Sequence, residues 1–321
     1  MSFVIAGTGS ALADLTIDNH SFEAILDTSD EWITTRTGIR ERKILKSKNL
    51  TNLSVQAAQK ALEQADISKD ELDLIICATL QGDYIMPSLA CLVQKELGAK
   101  CPAFDINAAC TGFLYALDLA DSYFKAGKAK NILVVCADQM SKFLDFSDRS
   151  TCVLFGDGAG AVILSKGEGL KYIEISAQGA GEDLYIEGAK NAIPFIDNRQ
   201  ASAQSYLKMN GQNIFKFAVS SITKDIKKAL NKTGLSSQEI KYYLLHQANK
   251  RILEAAQSFL GETWDKFPTN LQSLGNTSAA SIPMLMDELN RNGRIKKGDL
   301  LLLSAFGGGL TAGTAIIEWS Y

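Results

Sequence analysis

Apolar residues follow two different patterns along this chain. Short continuous apolar runs, such as LIICA at 74–78 and LLLLSAF at 300–306, alternate with longer segments in which apolar residues recur at helical spacing. Continuous runs of Val, Ile and Leu are typical of parallel strands that are buried on both faces. Alternation of such strands with helices predicts a layered α/β fold, in which right-handed crossovers place helices on the sheets.

The plan of helix, turn, strand, loop, helix and strand occurs twice. The segment at 61–79 aligns with the segment at 229–247 at a constant offset of 168. Four identical positions pair as Ala61 with Ala229, Leu62 with Leu230, Ser68 with Ser236, and Glu71 with Glu239. The same offset carries Cys110 onto Ser278 and the apolar run at 132–135 onto that at 300–303.

This repetition predicts two duplicated halves, which we place at 1–170 and 171–321. Two unrelated α/β stretches are the alternative, but one offset shared by separate elements argues against them. Duplication creates a pseudo-twofold axis, at which equivalent loops of the two halves converge on one cleft. Residues on those loops are therefore the candidates for chemistry.

Composition excludes several classes of protein. The 321 residues are 46% hydrophobic and 21% charged, with a formal net charge of −3, which is ordinary for a globular protein and unlike a dedicated nucleic-acid binder. No apolar run approaches the roughly 18 residues that a membrane span requires. The N-terminus lacks a charged leader. We therefore expect a cytoplasmic protein with no membrane or nucleic-acid partner.

The cysteine pattern points to thiols and not to disulfides or metal ligands. Six cysteines occur, and none forms a CxxC pair, so no metal site is expected. Most should be small buried apolar residues, as free cysteines usually are. At most one of them needs a chemical explanation.

Cys110 is the candidate nucleophile. The strand-like PAFDI ends near 106, and helical spacing begins at Thr111, so Cys110 lies at or beside a helix N-terminus. The positive end of the helix dipole favours a thiolate there, and the backbone amides can face an oxyanion.

His246 and Asn276 are the candidate partners of Cys110. His246 follows the apolar strand YYLL at a second strand-to-helix junction, and Asn276 immediately precedes the helix equivalent to that of Cys110. Structural alternatives exist for both: a satisfied histidine at a strand end, and an asparagine helix cap. The duplication places them at the same cleft as Cys110. The other histidine, His20, lies in a polar stretch and is expected on the surface.

With these residues in place, the chain resembles the β-ketoacyl-acyl carrier protein synthase III family of thiolase-like condensing enzymes. The resemblance implies a thiolase-like α-β-α-β-α sandwich, and it extends from near residue 3 to the C-terminus. The segments that carry it are DTSDEWITTRTGIRER (27–42), DINAACTGFLYAL (105–117), DRSTCVLFGDGAGAVIL (148–164), LLHQANKRI (244–252), GNTSAASIP (275–283) and FGGGLTAGTAII (306–317).

The resemblance implies a decarboxylative Claisen condensation that initiates fatty-acid synthesis. A short acyl group, acetyl being the first expectation, passes from its CoA thioester to Cys110. Malonyl-acyl carrier protein then loses CO2, and the resulting carbanion attacks the acyl-enzyme. His246 and Asn276 match the pair that binds the malonyl thioester carbonyl, and the amides of Cys110 and Gly308 match the oxyanion hole of acyl transfer.

The resemblance also implies where the substrates bind. Glycine-rich turns such as GDGAG lack the spacing of a phosphate loop, so we expect no nucleotide cofactor and only the CoA of the substrate. Trp32 and Arg149 match residues that sandwich adenine. The remaining CoA contacts match Thr28, Arg36, Gly211, Phe215 and Asn249. Met86 matches a loop that crosses a homodimer interface and closes the acyl pocket.

The chain departs from the family at the expected carrier-protein surface. Where relatives often carry adjacent lysines after the HQAN motif, this chain reads EAAQSFLG at 254–261. Lys216 and Arg251 remain as docking candidates, and Lys224, Lys227 and Lys228 could replace the missing pair.

Three other functions remain open at this point. A related synthase of specialised metabolism would use a different acyl donor or acceptor. A non-catalytic partner subunit would only bind acyl chains, and its nucleophile would be replaced, whereas Cys110 is intact. A hydrolase would release the acyl group from Cys110 to water.

Overall fold

The computed structural model describes residues 2–193, 195, 201–203 and 205–321. Within them, two larger sheets each contain parallel strands and a reversed strand. The strands are β1 (Ser2–Leu12), β2 (Leu15–Asp18), β3 (Glu41–Ile44), β4 (Leu74–Ala78), β5 (Ala103–Ile106), β6 (Asn131–Asp138), β7 (Gly158–Gly167), β8 (Leu170–Ala177), β9 (Leu184–Tyr185), β10 (Lys208–Met209), β11 (Ile240–Leu245), β12 (Leu300–Gly307) and β13 (Thr311–Glu318).

The two sheets repeat one topology. The first has the order β1-β7-β6-β4-β5, and the second has the order β11-β12-β13-β8. Strand β4 pairs in parallel with β5 and β6, while β7 runs antiparallel between β6 and β1. In the second sheet, β11 and β12 are parallel and β13 runs antiparallel between β12 and β8. The first sheet ends at residue 167 and the second begins at residue 170.

Helices form the outer and central layers around these sheets. They are α1 (Asn19–Glu23), α2 (Asp30–Thr37), α3 (Leu50–Ala65), α4 (Leu89–Leu97), α5 (Gly112–Lys125), α6 (Gly211–Thr233), α7 (Lys250–Leu260), α8 (Leu271–Leu274) and α9 (Ser281–Arg291). One core joins α5 and α9 to both sheets, whereas α3 and α4 cover the outer face of the first sheet and α6 and α7 that of the second. The predicted α-β-α-β-α sandwich is confirmed.

The repeat is visible in local structure as well as in topology. Ser68 and Glu71 form a capping box, and Ser236 and Glu239 form the equivalent one 168 residues later. In such a box two side chains satisfy backbone amides reciprocally. The matched residues identified in the sequence therefore fix the same turn before the same buried strand in each half.

The predicted equivalence of Cys110 and Ser278 is wrong by one residue. Ala109 (φ 47°) and Ser278 (φ 54°) have the same unusual left-handed backbone, and each begins a short 3-10 turn before a central helix. Their offset is 169, because one more residue lies between the capping box and this turn in the second half than in the first. Cys110 is therefore equivalent to Ala279, and Asn276 is equivalent to Asn107.

A smaller layer covers the cleft on the side of the first half. It contains the antiparallel pair of strands β2 and β3, the helices α1 and α2 between them, and the segment at 140–155, which share an apolar cluster. The fully buried Arg42 joins these pieces: its guanidinium donates to the carbonyls of Ile17 (3.2 Å) and Val153 (2.7 Å) and to the Asn19 side chain (2.9 Å). This layer holds one wall of the site.

Candidate active site

The candidate residues from both halves meet at one cavity of about 920 Å³. Cys110, His246 and Asn276 all line it, although they are widely separated in sequence. Eight of the residues expected to bind CoA or the carrier protein also line it: Trp32, Arg36, Arg149, Gly211, Phe215, Lys216, Asn249 and Arg251. The cavity therefore runs from an exposed, positively charged mouth to the candidate nucleophile.

Cys110 lies in the 3-10 turn Ala109–Thr111, directly before α5, as the sequence predicts. Gly307 packs against this turn, and a Cβ there would lie 2.8 Å from the amide nitrogen of Cys110. A glycine is required at 307 because any side chain would displace the turn. The hydroxyls of Thr111 and Thr311 are 2.9 Å apart and connect the turn to β13. The second half thus positions the nucleophile of the first.

The expectation that Cys110 rests as a thiolate is wrong. Burial raises the pKa of the Cys110 thiol to about 12, and the nearby Ser278 hydroxyl only partly opposes that effect. Desolvation disfavours the charged form of a thiol more strongly here than the start of the helix favours it. The resting nucleophile is therefore a neutral thiol, and acyl transfer requires a group that accepts its proton.

His246 is neutral and presents a proton to the cavity. It is 1% exposed, and burial lowers its pKa to about 3. Its Nδ1 is 2.7 Å from the Ser281 hydroxyl, which also accepts a hydrogen bond from the Gln247 amide at 3.4 Å. Among the described residues, Nδ1 is the one acceptor recorded for the Ser281 hydroxyl hydrogen, so we assign that hydroxyl as the donor to Nδ1 and the imidazole proton to Nε2. A neutral N–H donor suits a developing oxyanion.

The side chain of Asn276 also presents a hydrogen-bond donor to the cavity. Its Oδ1 accepts a hydrogen bond from the Ser278 amide at 2.8 Å, so its Nδ2 is the end that remains to donate to a ligand. Its backbone bonds to the segment 154–156: the Asn276 amide donates to Leu154 (2.8 Å), and the Gly156 amide donates to Asn276 (3.0 Å). The helix cap expected as the structural alternative is wrong, because Thr277 and Ala280 occupy the N-cap positions of the 3-10 turn and of α9. The Asn276 side chain instead closes a local turn, which leaves its amide donor available.

Gly308 lines a second cavity of about 570 Å³, and its neighbour Gly307 lines the main cavity. The second cavity reaches Cys110 from the opposite side, and Phe155 and Leu184 line both cavities. Its other walls include the apolar side chains of Met140, Phe143, Ile186 and Leu207. We call this second cavity the acyl chamber, because an acyl group on Cys110 would extend into it.

Trp32 lies at the mouth of the main cavity between two guanidinium groups. The Arg36 guanidinium carbon is 4.5 Å from the Trp32 ring centroid, and that of Arg149 is 5.0 Å from it. Arg149 also contacts the carbonyl and carboxylate of Asp27. Since Arg149 and Trp32 are already in contact, an adenine ring can enter between them only if the Arg149 side chain moves outwards.

The remaining expected CoA contacts fall into two groups. Gly211 begins α6, Phe215 lies on its first turns beneath the Arg251 guanidinium, and Asn249 caps α7 while donating to the Arg36 carbonyl at 3.2 Å. These residues face the mouth together. Thr28 does not line the cavity; its hydroxyl is buried and has no hydrogen-bond partner.

Met86 does not line either cavity of its own chain. It lies at the tip of the loop between β4 and α4, next to Tyr84 and Ile85, and the three side chains are 60–88% exposed. An apolar tip of this kind is unusual on the surface of a monomer.

The residues expected to have structural roles divide clearly. His20 is on the surface beside Glu23, at 3.3 Å, as expected. Cys77, Cys101, Cys136 and Cys152 are buried free thiols, in line with the expectation for most of the six, whereas Cys91 is exposed. In the part of the chain that the structure describes, no cluster of three metal-ligating side chains occurs.

Sequence reasoning missed three residues around the site. Ser281, which orients His246, and Ser278, which lies beside Cys110, both belong to the quoted segment GNTSAASIP, from which only Asn276 was selected. Asp138 ends β6 behind Ser278 and is fully buried. A buried strand ending in aspartate was the available signal.

Comparison with known proteins identifies the family. A family profile described as 3-oxoacyl-[acyl-carrier-protein] synthase III matches residues 104–181, and the profile of its C-terminal part matches residues 230–319. The chain is 45% identical to the β-ketoacyl-[acyl-carrier-protein] synthase III of Clostridium acetobutylicum, over 99% of both chains. The chain belongs to the β-ketoacyl-acyl carrier protein synthase III family.

Solved structures of this family support the same assignment. The synthase III of Aquifex aeolicus superposes with a TM-score of 0.91 at 46% identity, covering 99% of this chain and 100% of that one. The priming β-ketosynthase of the R1128 polyketide pathway superposes with a TM-score of 0.92 at 30% identity, covering 99% and 96%. Membership makes this chain an acyltransferase that catalyses the condensation initiating fatty-acid synthesis.

Over the residues that the structure describes, no helix combines the length and the apolar character that crossing a bilayer demands.

Substitution of Trp32 tests the assignment of the cavity mouth. We expect Trp32→Ala to raise the KM for acyl-CoA about 10-fold with kcat retained, because stacking on an aromatic face contributes roughly 1–2 kcal/mol to binding and is not specific to the transition state. Steady-state kinetics measures both constants. Trp264→Ala is the matched control, since Trp264 is also partly exposed but stacks on Phe267 away from the cavity. An unchanged KM in Trp32→Ala would place CoA elsewhere.

Proposed function

We propose that Cys110, His246 and Asn276 divide the condensation into two half-reactions at one cavity. Cys110 accepts a short acyl group from CoA and holds it in the acyl chamber. His246 Nε2 and Asn276 Nδ2 then donate hydrogen bonds to the thioester carbonyl of malonyl-acyl carrier protein as CO2 leaves. The observation that carries this proposal is the single cavity that joins the charged mouth to all three side chains.

The orientation of the two donors supports the second half-reaction. Decarboxylation generates an enolate, and preorganised donors in a buried site stabilise such charge strongly. A protonated imidazole would quench a carbanion, but burial keeps His246 neutral over the working pH range. The amides of Cys110 and Gly308 are the proposed oxyanion hole for the first half-reaction, and both residues line the acyl chamber.

The substrates and partners of the proposal are acyl-CoA, malonyl-acyl carrier protein and a second copy of the chain. Lys216 and Arg251 flank the cavity mouth, where they could guide the phosphopantetheine arm of an acidic carrier. The exposed tip at Met86 supports a homodimer in which each subunit closes the acyl chamber of the other. We propose no resident cofactor or metal, and a cytoplasmic location.

A second candidate is a priming synthase of specialised metabolism with another acyl donor or acceptor. It is favoured by the structural likeness to the R1128 priming enzyme. The acyl chamber, at about 570 Å³, also does not restrict the primer to acetyl. Cys110 is intact, and Gly307 packs closely against the turn that holds it. Both features argue against a subunit that only binds acyl chains.

One product assay separates these functions. The protein is incubated with acetyl-CoA and malonyl-acyl carrier protein, and the products are identified by mass spectrometry. We expect acetoacetyl-acyl carrier protein with release of CO2. Free acetate without a new carbon–carbon bond would indicate a hydrolase. Condensation with longer or branched acyl-CoA but not with acetyl-CoA would support the priming alternative, and no product with any acyl-CoA would overturn the proposal.

A further inference from the structure

Two buried polar side chains behind Cys110 have no role in the reaction described so far. Asp138 ends β6 and is 1% exposed. Its Oδ1 accepts hydrogen bonds from the Leu80 amide (2.7 Å) and the Thr79 hydroxyl (3.1 Å), whereas its Oδ2 is buried without a hydrogen bond of standard geometry. A buried carboxylate oxygen in this state is costly and needs an explanation.

Ser278 interacts with both Asp138 and Cys110. It is fully buried, lines the acyl chamber together with Cys110, and has the left-handed backbone conformation that Asn276 stabilises through its amide. Its hydroxyl is close enough to lower the pKa of both Cys110 and Asp138, yet it forms no hydrogen bond of standard geometry with either. A hydroxyl in this position can donate to the carboxylate and accept from the thiol after a small rotation.

His246 is poorly suited to take the proton of the Cys110 thiol. Its Nδ1 accepts from Ser281, so the nitrogen that remains for the cavity already carries a hydrogen. The Cys110 thiol nevertheless has to lose its proton before it can attack a thioester. Asp138 and Ser278 are the other polar side chains whose interaction with this thiol the described structure records.

We propose that Ser278 and Asp138 form a relay that accepts the Cys110 proton during acyl transfer from CoA. The proton moves from Cys110 Sγ to Ser278 Oγ as the serine proton moves to Asp138 Oδ2. The sulfur anion attacks the thioester carbonyl, and the bond from that carbon to the CoA sulfur breaks. The relay then returns the proton to the departing CoA thiolate, so that CoA leaves as a thiol and Asp138 is again a carboxylate. This inference rests on the proposed acyl-CoA half-reaction.

The charges around Asp138 are consistent with this role. Burial raises the pKa of Asp138 to about 6 and lowers that of His246 to about 3, so Asp138 is the stronger base of the two. The titratable groups that interact with it are Cys110, Cys136 on the same strand, and Lys142. Both thiols have raised pKa values and are neutral, and Lys142 favours the carboxylate. Asp138 is therefore ionised at pH 7 and protonated below about 6.

Acylation by acetyl-CoA alone, followed by intact mass spectrometry over time, tests the relay without the second half-reaction. In the unsubstituted protein, the rate should fall as the pH drops through about 6, because protonated Asp138 cannot accept a proton. Asp138→Asn should lose this inflection and acylate at least 10-fold more slowly at pH 7, with the concentration dependence on acetyl-CoA unchanged. Its rate should rise continuously towards high pH, where the thiol ionises without help.

Ser278 variants give an independent measurement. Ser278→Ala should acylate slowly like Asp138→Asn, and Ser278→Thr, which keeps a hydroxyl, should recover part of the rate. Asp157→Asn is the matched control, because Asp157 is equally buried and also accepts backbone amides, from Leu45 and Ser141, but does not face Cys110. Thermal unfolding of all variants identifies those that do not fold.

Two results would overturn the relay. One is acylation at the unsubstituted rate, with the inflection near pH 6 preserved, in folded Asp138→Asn or Ser278→Ala. The other is faster acylation in Asp138→Asn, which would mean that the carboxylate only repels the thiolate. Absence of acylation in the unsubstituted protein with any acyl-CoA would instead contradict the proposed function, so the two failures are distinguishable.

Discussion

Cys110→Ala is expected to abolish acylation, with a loss of at least about 10³-fold in overall condensation, because covalent storage of the acyl group has no substitute in the cavity. The unsubstituted protein should gain one acetyl group per chain from acetyl-CoA, as measured by intact mass, and Cys110→Ala should gain none. Cys110 is the cysteine that both cavities reach, so the effect should be confined to this position among the six.

The chain provides a matched control for this experiment. Cys91 is an exposed free thiol on α4, and it is the cysteine most open to nonspecific acylation. Cys91→Ala should keep one acetyl group per chain and full condensation activity. Retention of the label in Cys110→Ala, or its loss in Cys91→Ala, would show that Cys110 is not the acyl carrier.

The layered fold could be predicted from the sequence because the same local motifs occur in both halves. The capping boxes at Ser68 and Ser236 precede equivalent buried strands, and this kind of local agreement is visible in residue types alone. The sequence did not show that the second half has one additional residue before the turn at Ser278. A loop insertion of one residue leaves no periodic signal, so only the shared left-handed backbone of Ala109 and Ser278 reveals it.

Residue types predicted which side chains meet at the site. They did not predict the protonation state of Cys110. Cys110 does precede a helix, and that position favours a thiolate. Burial by the opposing half, including Gly307 against the Cys110 amide, has the larger effect and raises the thiol pKa. Desolvation depends on packing between distant segments, and no local pattern at 105–117 encodes it.

With the two halves aligned at an offset of 169, the same turn conformation is found at the site in both halves, where it has two different roles. Asn107 and Asn276 occupy equivalent positions, and each Oδ1 accepts from the amide two residues later, at 3.1 Å and 2.8 Å. In the first half this turn presents Cys110; in the second it presents Ser278 and the Asn276 amide. The pseudo-twofold axis therefore places a nucleophile opposite a hydrogen-bond donor from the same kind of turn.

His246→Ala and Asn276→Ala are expected to lose decarboxylation and condensation by about 10² to 10³-fold each, the usual effect of removing one preorganised donor from a developing oxyanion. Acylation of Cys110 should be retained in His246→Ala and only modestly slowed in Asn276→Ala, because the Asn276 side chain also holds the turn at Ser278. Because both donors are assigned to the same oxygen, the double variant should lose less than the product of the two single effects. Intact mass measures acylation, and release of CO2 from malonyl-acyl carrier protein measures decarboxylation.

Asn107→Ala is the matched control for Asn276, since it removes the same turn hydrogen bond from the equivalent position in the first half. If the effect of Asn276→Ala came only from loss of that turn, Asn107→Ala should reproduce it by displacing Cys110, and acylation would be lost as well. We expect instead that Asn107→Ala slows both half-reactions modestly and by the same factor, whereas Asn276→Ala slows decarboxylation far more than acylation.

Equal loss of acylation and decarboxylation in His246→Ala and Asn276→Ala would contradict the assignment of these two residues to the enolate. A hydrogen-bond donor to the enolate acts in the second step, so its loss should not slow both steps equally, and equal loss would leave the two residues with a structural role.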